Sequence, residues 1–198
     1  METRYAVNPL VCPLAISLAC LLPGLLPTSL VDSLQYHHTA IAAGEWWRLI
    51  TGHLTHLGWG HLLMNLAGFW LIWGLFLSRD PPHRCAYRLL LMMLGVSFGL
   101  WFLTPELAWY RGLSGALHGL LCWALLQQTR SQPGLAILIL ASLWGKLAWE
   151  QWLGPIPGSE SLASGRVIVD AHLYGAVSGV ILWGLELMTT APWHEDSA

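Results

Sequence analysis

Six apolar runs, each close to the ~20 residues that a helix needs to cross a bilayer, constrain this chain more than anything else in its sequence. They lie at about residues 9–26, 59–77, 86–103, 112–127, 135–152 and 168–188. Runs of this length cannot be covered in a water-soluble domain of 198 residues. Composition agrees: 10% of the residues are charged, against about 25% in a typical soluble protein. The expected fold is an all-α membrane protein, a six-transmembrane-helix bundle forming one domain over residues 1–198. Disorder, a secreted disulfide scaffold and a free nucleic-acid binder are excluded. A net charge of -2 gives no basic footprint for DNA or RNA. Cys12, Cys20, Cys85 and Cys122 form no C-x-x-C pair and read as small buried hydrophobes.

The first run contains Pro13 and Pro23. A signal peptide is the competing reading. Glu2 and Arg4 precede the run without a positive n-region, and no small-x-small cleavage site follows, so a retained, kinked span is expected. Residues 31–58 are different: Asp32, Gln35, His37, His38, Glu45, Arg48, His53 and His56 interrupt the hydrophobics. They read as a long first loop, lying in the membrane interface through Trp46 and Trp47, with Arg48 as its brace. Loops this long are uncommon unless functional. Arg4, Arg79, Arg84, Arg88 and Arg130 fall on one side of the spans, and Arg48, Arg111 and Arg166 on the other. That bias puts both termini in the cytoplasm.

Polar groups inside spans are costly and are functional candidates by default. His61 and Asn65 open the second run, Ser114 and His118 the fourth, and His172 the sixth. Even-numbered spans run in the same direction, so these groups share one depth near one face. Ser114 begins a helix, where free N–H groups and the positive dipole end favour a developing oxyanion. A serine hydroxyl needs a base, and His172 sits at the matching depth. Gly115/Gly119 and Gly175/Gly179 give both helices a small-xxx-small face within a turn of these residues, which permits close approach. His61 and Asn65, four apart, share a helix face and supply two hydrogen-bond donors.

Trp47-Arg48, His61-x-x-x-Asn65, Gly112-x-Ser114-Gly115 and Ala171-His172-x-x-Gly175-x-x-x-Gly179 occur in this order along the six runs. Across nearly its whole length the chain resembles the rhomboid intramembrane serine proteases. The resemblance implies a rhomboid-like bundle in which Ser114 is the nucleophile and His172 the base. It also implies that His61 and Asn65 bind the oxyanion, and it calls for no cofactor. His118 stands where rhomboids usually carry an aromatic or aliphatic residue. With Asp170-Ala171-His172-Leu173 and the compact length, it makes the chain similar to the bacterial rhombosortase subfamily. That narrower likeness implies substrates that are exported, membrane-anchored proteins with a C-terminal Gly-Gly motif, an apolar helix and a basic tail. It also implies a place in the bacterial inner membrane with the active site toward the periplasm. Water would resolve the acyl-enzyme; a lipid amine in its place would make the enzyme a transpeptidase.

Other readings compete at several residues. His118 shares the face of Ser114 and rivals His172 as base, but a base one turn deeper must bend back, so it reads as pocket lining. Asp170 lies about 200° around the helix from His172, which favours a Ser–His dyad over a triad. Lys146 and Glu150, four apart in the fifth run, read as an ion pair near the outer interface or as part of a substrate gate. His53, His56 and His61 invite a metal or haem. Their spacing is not H-E-x-x-H and no carboxylate follows in a ligand position, so no metal is expected. The remaining rival is a catalytically silent rhomboid-like protein that binds membrane clients; the presence of both Ser114 and His172 opposes it.

Overall fold

A computed structural model of the chain describes residues 8–190. Arg4 and the acidic tail, which entered the orientation and domain expectations, lie outside the described residues. Helix α1 (Val11–Leu21) passes into a 3₁₀ turn, Leu22–Leu25, that contains Pro23. Then follow α2 (Thr28–Leu34), β1 (Tyr36–His37), α3 (His38–Ala42) and α4 (Arg48–Leu54). Helix α5 (Trp59–Ile72) continues as a π-helical turn, Trp73–Leu77. After it come α6 (Pro82–Leu103), β2 (Trp109–Tyr110), α7 (Ser114–Gln128), α8 (Pro133–Leu153), α9 (Ser159–Ala163) and α10 (Val169–Thr190).

Local chemistry sets these limits. Both α6 and α8 open on proline in the first turn, where the missing N–H has no intrahelical partner to lose. Helix α8 stops at Gly154, whose φ of 84° lies where L side chains rarely go.

Among the described residues, three helical stretches are long and apolar enough to cross a membrane: Trp59–Leu77, Pro82–Leu103 and Val169–Thr189. The other expected spans are also helical but differ in kind. The apolar stretch Val11–Leu25 is shorter. Helix α8 carries Lys146 and Glu150 in its interior. Helix α7 has 15 residues. At 1.5 Å per residue it is about 22 Å long, short of the ~30 Å hydrocarbon core.

The polar stretch 31–58, expected as a loop, is folded. Its organiser is Arg48, which is buried. Its Nη1 donates to the backbone carbonyls of Asp32 and Gln35, both at 2.8 Å, and its Nε to Glu45 at 2.6 Å. One guanidinium thus satisfies carbonyls that would otherwise be stranded at the ends of short helices. Ser97 of α6 donates to the Leu49 carbonyl at 2.6 Å and receives His53 Nε2 at 3.0 Å. Burial pushes His53 down to about 4, which keeps its ring neutral. Strand β1 pairs antiparallel with β2, Tyr36 opposite Tyr110 and His37 opposite Trp109, a small departure from an all-helical fold. The Gly112 N–H donates to the Gly52 carbonyl at 3.1 Å. The first connector therefore clamps the segment that leads into α7. Cys12, Cys20, Cys85 and Cys122 are all buried and unbridged.

Helices α7 and α10 make the most extensive helix pairing among the described elements. Their glycine faces meet backbone to backbone. A Cβ on Gly175 would fall 1.9 Å from the Gly115 carbonyl oxygen, and one on Gly179 2.3 Å from that of Gly119. A Cβ on Gly119 would fall 2.5 Å from the Gly175 oxygen. No side chain can yield here, because the obstacle is main chain, so any substituent must push the helices apart.

We expect Gly175→Ala to lower stability by ~1–3 kcal/mol through overpacking. Gly184→Ala, on the same helix with nothing within 4 Å, should be close to neutral. Unfolding midpoints of the two variants in detergent check this.

Candidate active site

Ser114 is the first residue of α7, directly after the clamped segment. The α7–α10 contact carries it to His172 in the first turn of α10. Ser114 Oγ lies 3.0 Å from His172 Nε2. On its other side, His172 Nδ1 lies 2.9 Å from Glu150 Oε2. An unprotonated nitrogen that close to a carboxylate oxygen would set two lone pairs against each other. Lys146 Nζ, 3.1 Å from the same nitrogen, is a competing donor; with the proton on Nδ1 and donated to Glu150, Nε2 is left to accept the Ser114 hydroxyl hydrogen. Glu150 is buried, at 2% exposure, and ion-paired with Lys146 at 2.7 Å.

His61 and Asn65, one turn apart on α5, form the opposite wall. The Leu57 N–H reaches His61 Nδ1 at 3.4 Å, so a neutral ring holds its proton on Nε2. The amide Nδ2 of Asn65 is buried and has no hydrogen-bond partner. An orphaned donor of this kind is costly in a native protein unless something else accepts from it. Both donors face Gly112. A Cβ at that position would fall 2.7 Å from His61 Nε2 and 3.5 Å from Asn65 Nδ2. Gly112 also has φ 118°, so both its backbone and its lack of a side chain are required. Tyr110 fixes this turn by donating its hydroxyl to the Gly112 carbonyl. Together these groups line a cavity of ≈ 290 Å³ that contains Ser114, His172, His61 and Asn65. It has a polar wall and an otherwise largely apolar lining. The arrangement can take a proton from a hydroxyl and offer donors to an oxygen that becomes negative.

His118 lines the same cavity. Its Nδ1 donates to the Ser114 carbonyl at 2.7 Å, its Nε2 accepts from Lys146 at 2.7 Å, and its ring stacks on His172 with centroids 4.2 Å apart. Its nitrogens are thus committed away from the Ser114 hydroxyl. His56 packs edge-on against His61, and burial pushes it down to about 3. His53 is held by Ser97 instead, so the three loop and α5 histidines do not converge. Among the described residues no group of three or more His, Cys, Asp or Glu is arranged to hold a metal ion.

Lys146 and Glu150 pair as their spacing predicts, yet they belong to this site rather than only to an outer interface. The carboxylate on His172 was missed in the sequence. Asp170, the acid nearest to His172 along the chain, is not the one that reaches its ring; Glu150, 22 residues away, is. The available signal was a charged pair inside an apolar run.

Residues 43–188 match the family model described as the Rhomboid domain. The chain is 27% identical over 175 residues to Rhomboid-like protein 11, chloroplastic, of Arabidopsis thaliana, covering 84% of this chain and 61% of that protein. It is 27% identical over 144 residues to Rhomboid protease GlpG of Salmonella paratyphi A and of Salmonella newport, covering 70% of this chain and 48% of each. The chain thus spans less than two thirds of the length of these relatives.

Gly112→Ala should strain the turn that leads into Ser114, at φ 118°, and fill the space in front of His61 and Asn65. The expected result is a loss of about 10²-fold in the rate at which a fluorophosphonate modifies Ser114, the scale set by losing one oxyanion donor.

Proposed function

The chain belongs to the rhomboid family, and on that premise we propose that it is an intramembrane serine endopeptidase with Ser114 as nucleophile and His172 as base. One observation carries the reading: a serine hydroxyl 3.0 Å from an imidazole nitrogen, in a cavity whose far wall presents an unpartnered amide donor. The short α7 supports it further. A helix of about 22 Å that reaches one membrane face stops short of the other, so Ser114 lies below the surface, where a substrate helix can meet it laterally.

The reaction follows from the groups present. His172 Nε2 takes the Ser114 proton as Oγ bonds to the scissile carbonyl carbon. The carbonyl oxygen becomes an oxyanion held by His61, Asn65 and the Ser114 N–H. His172 returns the proton to the leaving amine, and the substrate's carbonyl side remains as an ester on Ser114. Water, deprotonated by His172, then hydrolyses the ester. A lipid amine attacking at this point would make the step a transpeptidation.

The substrates we propose are exported membrane proteins anchored by a C-terminal Gly-Gly segment, an apolar helix and a basic tail. His118 and the Asp170-Ala171-His172-Leu173 sequence support this. On this reading the enzyme sits in a bacterial inner membrane with both termini cytoplasmic and the cavity open toward the periplasm.

A reporter with such a tail, co-reconstituted in liposomes, tests the proposal. Cleavage at or near the Gly-Gly segment is expected, falling ~10⁶-fold in Ser114→Ala and His172→Ala. The mass of the released product distinguishes addition of water from addition of an amine. Stable binding of the reporter without cleavage would favour a client-binding protein instead.

A further inference from the structure

We propose that Glu150 is a positioning residue for His172, completing a Ser114–His172–Glu150 relay in which Lys146 balances the carboxylate's charge. This rests on the reading of Ser114 as nucleophile and deepens it.

The carboxylate is placed at some cost. Glu150 lies on α8, is 2% exposed, and sits in a largely apolar helix whose one other charge is Lys146, a turn before it. An isolated charge there would be expensive. A glutamate needed only to tie α8 to its own Lys146 would make that pair along the helix surface. Here Oε2 turns inward and meets His172 Nδ1 at 2.9 Å across the helix boundary. The contact fixes two things that the reaction needs. It selects the tautomer with the proton on Nδ1, so that Nε2 can accept from Ser114. It also holds the ring so that Nε2 points at Oγ, 3.0 Å away.

The charges explain Lys146. Its Nζ lies 2.7 Å from Glu150 Oε2, 2.7 Å from His118 Nε2 and 3.1 Å from His172 Nδ1. With the Nδ1 proton committed to Glu150, that last approach sets a cation beside an N–H. The carboxylate lying against both makes it tolerable. At rest the carboxylate is balanced by the ammonium. When His172 takes the Ser114 proton, the imidazolium gains the same carboxylate as a partner. Glu150 keeps its negative charge throughout, the Nδ1 proton stays on Nδ1, and the only proton that moves passes from Oγ to Nε2. His118, stacked on His172 and held by Lys146 and the Ser114 carbonyl, closes the fourth side of the ring.

This arrangement makes a prediction that packing alone does not. Glu150→Gln keeps the shape but leaves the Lys146 cation uncompensated beside the imidazole. Removing Lys146 as well relieves that repulsion. The test measures inactivation of the full-length protein by a fluorophosphonate, separating the maximal rate from the half-saturating concentration. Wild type, Glu150→Gln, Lys146→Met/Glu150→Gln and Ser114→Ala are compared. We expect Glu150→Gln to lose ~10³-fold in maximal rate with half-saturation within about twofold, and the double variant to recover about tenfold of that loss. A wild-type rate in Glu150→Gln, or a loss that appears only in half-saturation, overturns the proposal.

A second readout covers variants that fail to fold and an inert wild type. In ¹⁵N-histidine-labelled wild type, His172 Nδ1 should show a strongly low-field proton that is absent in His172→Ala. Its presence supports the hydrogen bond to Glu150 even if the serine proves unreactive, which would count against the protease reading alone. Its absence overturns the relay whether or not the serine labels.

Discussion

The contact of α7 with α10 is a meeting of two peptide backbones. Gly175 lies against the Gly115 carbonyl and Gly179 against that of Gly119, at separations that admit no Cβ. In a membrane, where apolar side chains gain little by leaving lipid, close backbone packing is a main source of helix association. The site depends on it directly. Ser114 is one residue from Gly115, and His172 three residues from Gly175. A shift of one ångström between the helices would take Oγ and Nε2 out of hydrogen-bond reach.

Around that contact, the polar groups solve a problem of dielectric. The charges buried here are paired, while the Asn65 amide and both ring nitrogens of His56 are buried without a hydrogen-bond partner. Arg48 satisfies the carbonyls of the first connector, Glu150 is shared by Lys146 and His172, and the unpartnered Asn65 amide belongs to the wall of the cavity that holds Ser114. The connector does mechanical work: through β1–β2 and the Gly52–Gly112 hydrogen bond it fixes the turn on which the proposed oxyanion site depends. Polarity in 31–58 thus serves a scaffold that holds the entrance to α7.

Much of this was legible in the sequence because it is written in local periodicity. The depth of His61, Ser114 and His172 follows from their places at the starts of even-numbered apolar runs, and the glycine faces follow from four-residue spacing. The helical character of the six runs follows from their length. Three features were not legible. The fold of 31–58 is set by Arg48 reaching across 16 residues, while each of its helices is too short to signal itself. The length of α7 depends on where the clamped turn ends. Glu150 meets His172 only through the docking of α8 on α10. Sequence proximity pointed to Asp170, and helical angle excluded it, but neither could name the acid that arrives from another helix.

On the proposed reading, the fold itself assembles an activated serine. The most direct measurement is mass-spectrometric mapping of a fluorophosphonate adduct on the intact protein in lipid nanodiscs. One covalent adduct per chain is expected, located on Ser114 and lost in His172→Ala. A folded protein with no adduct on Ser114, or with labelling unchanged by His172→Ala, would contradict that reading.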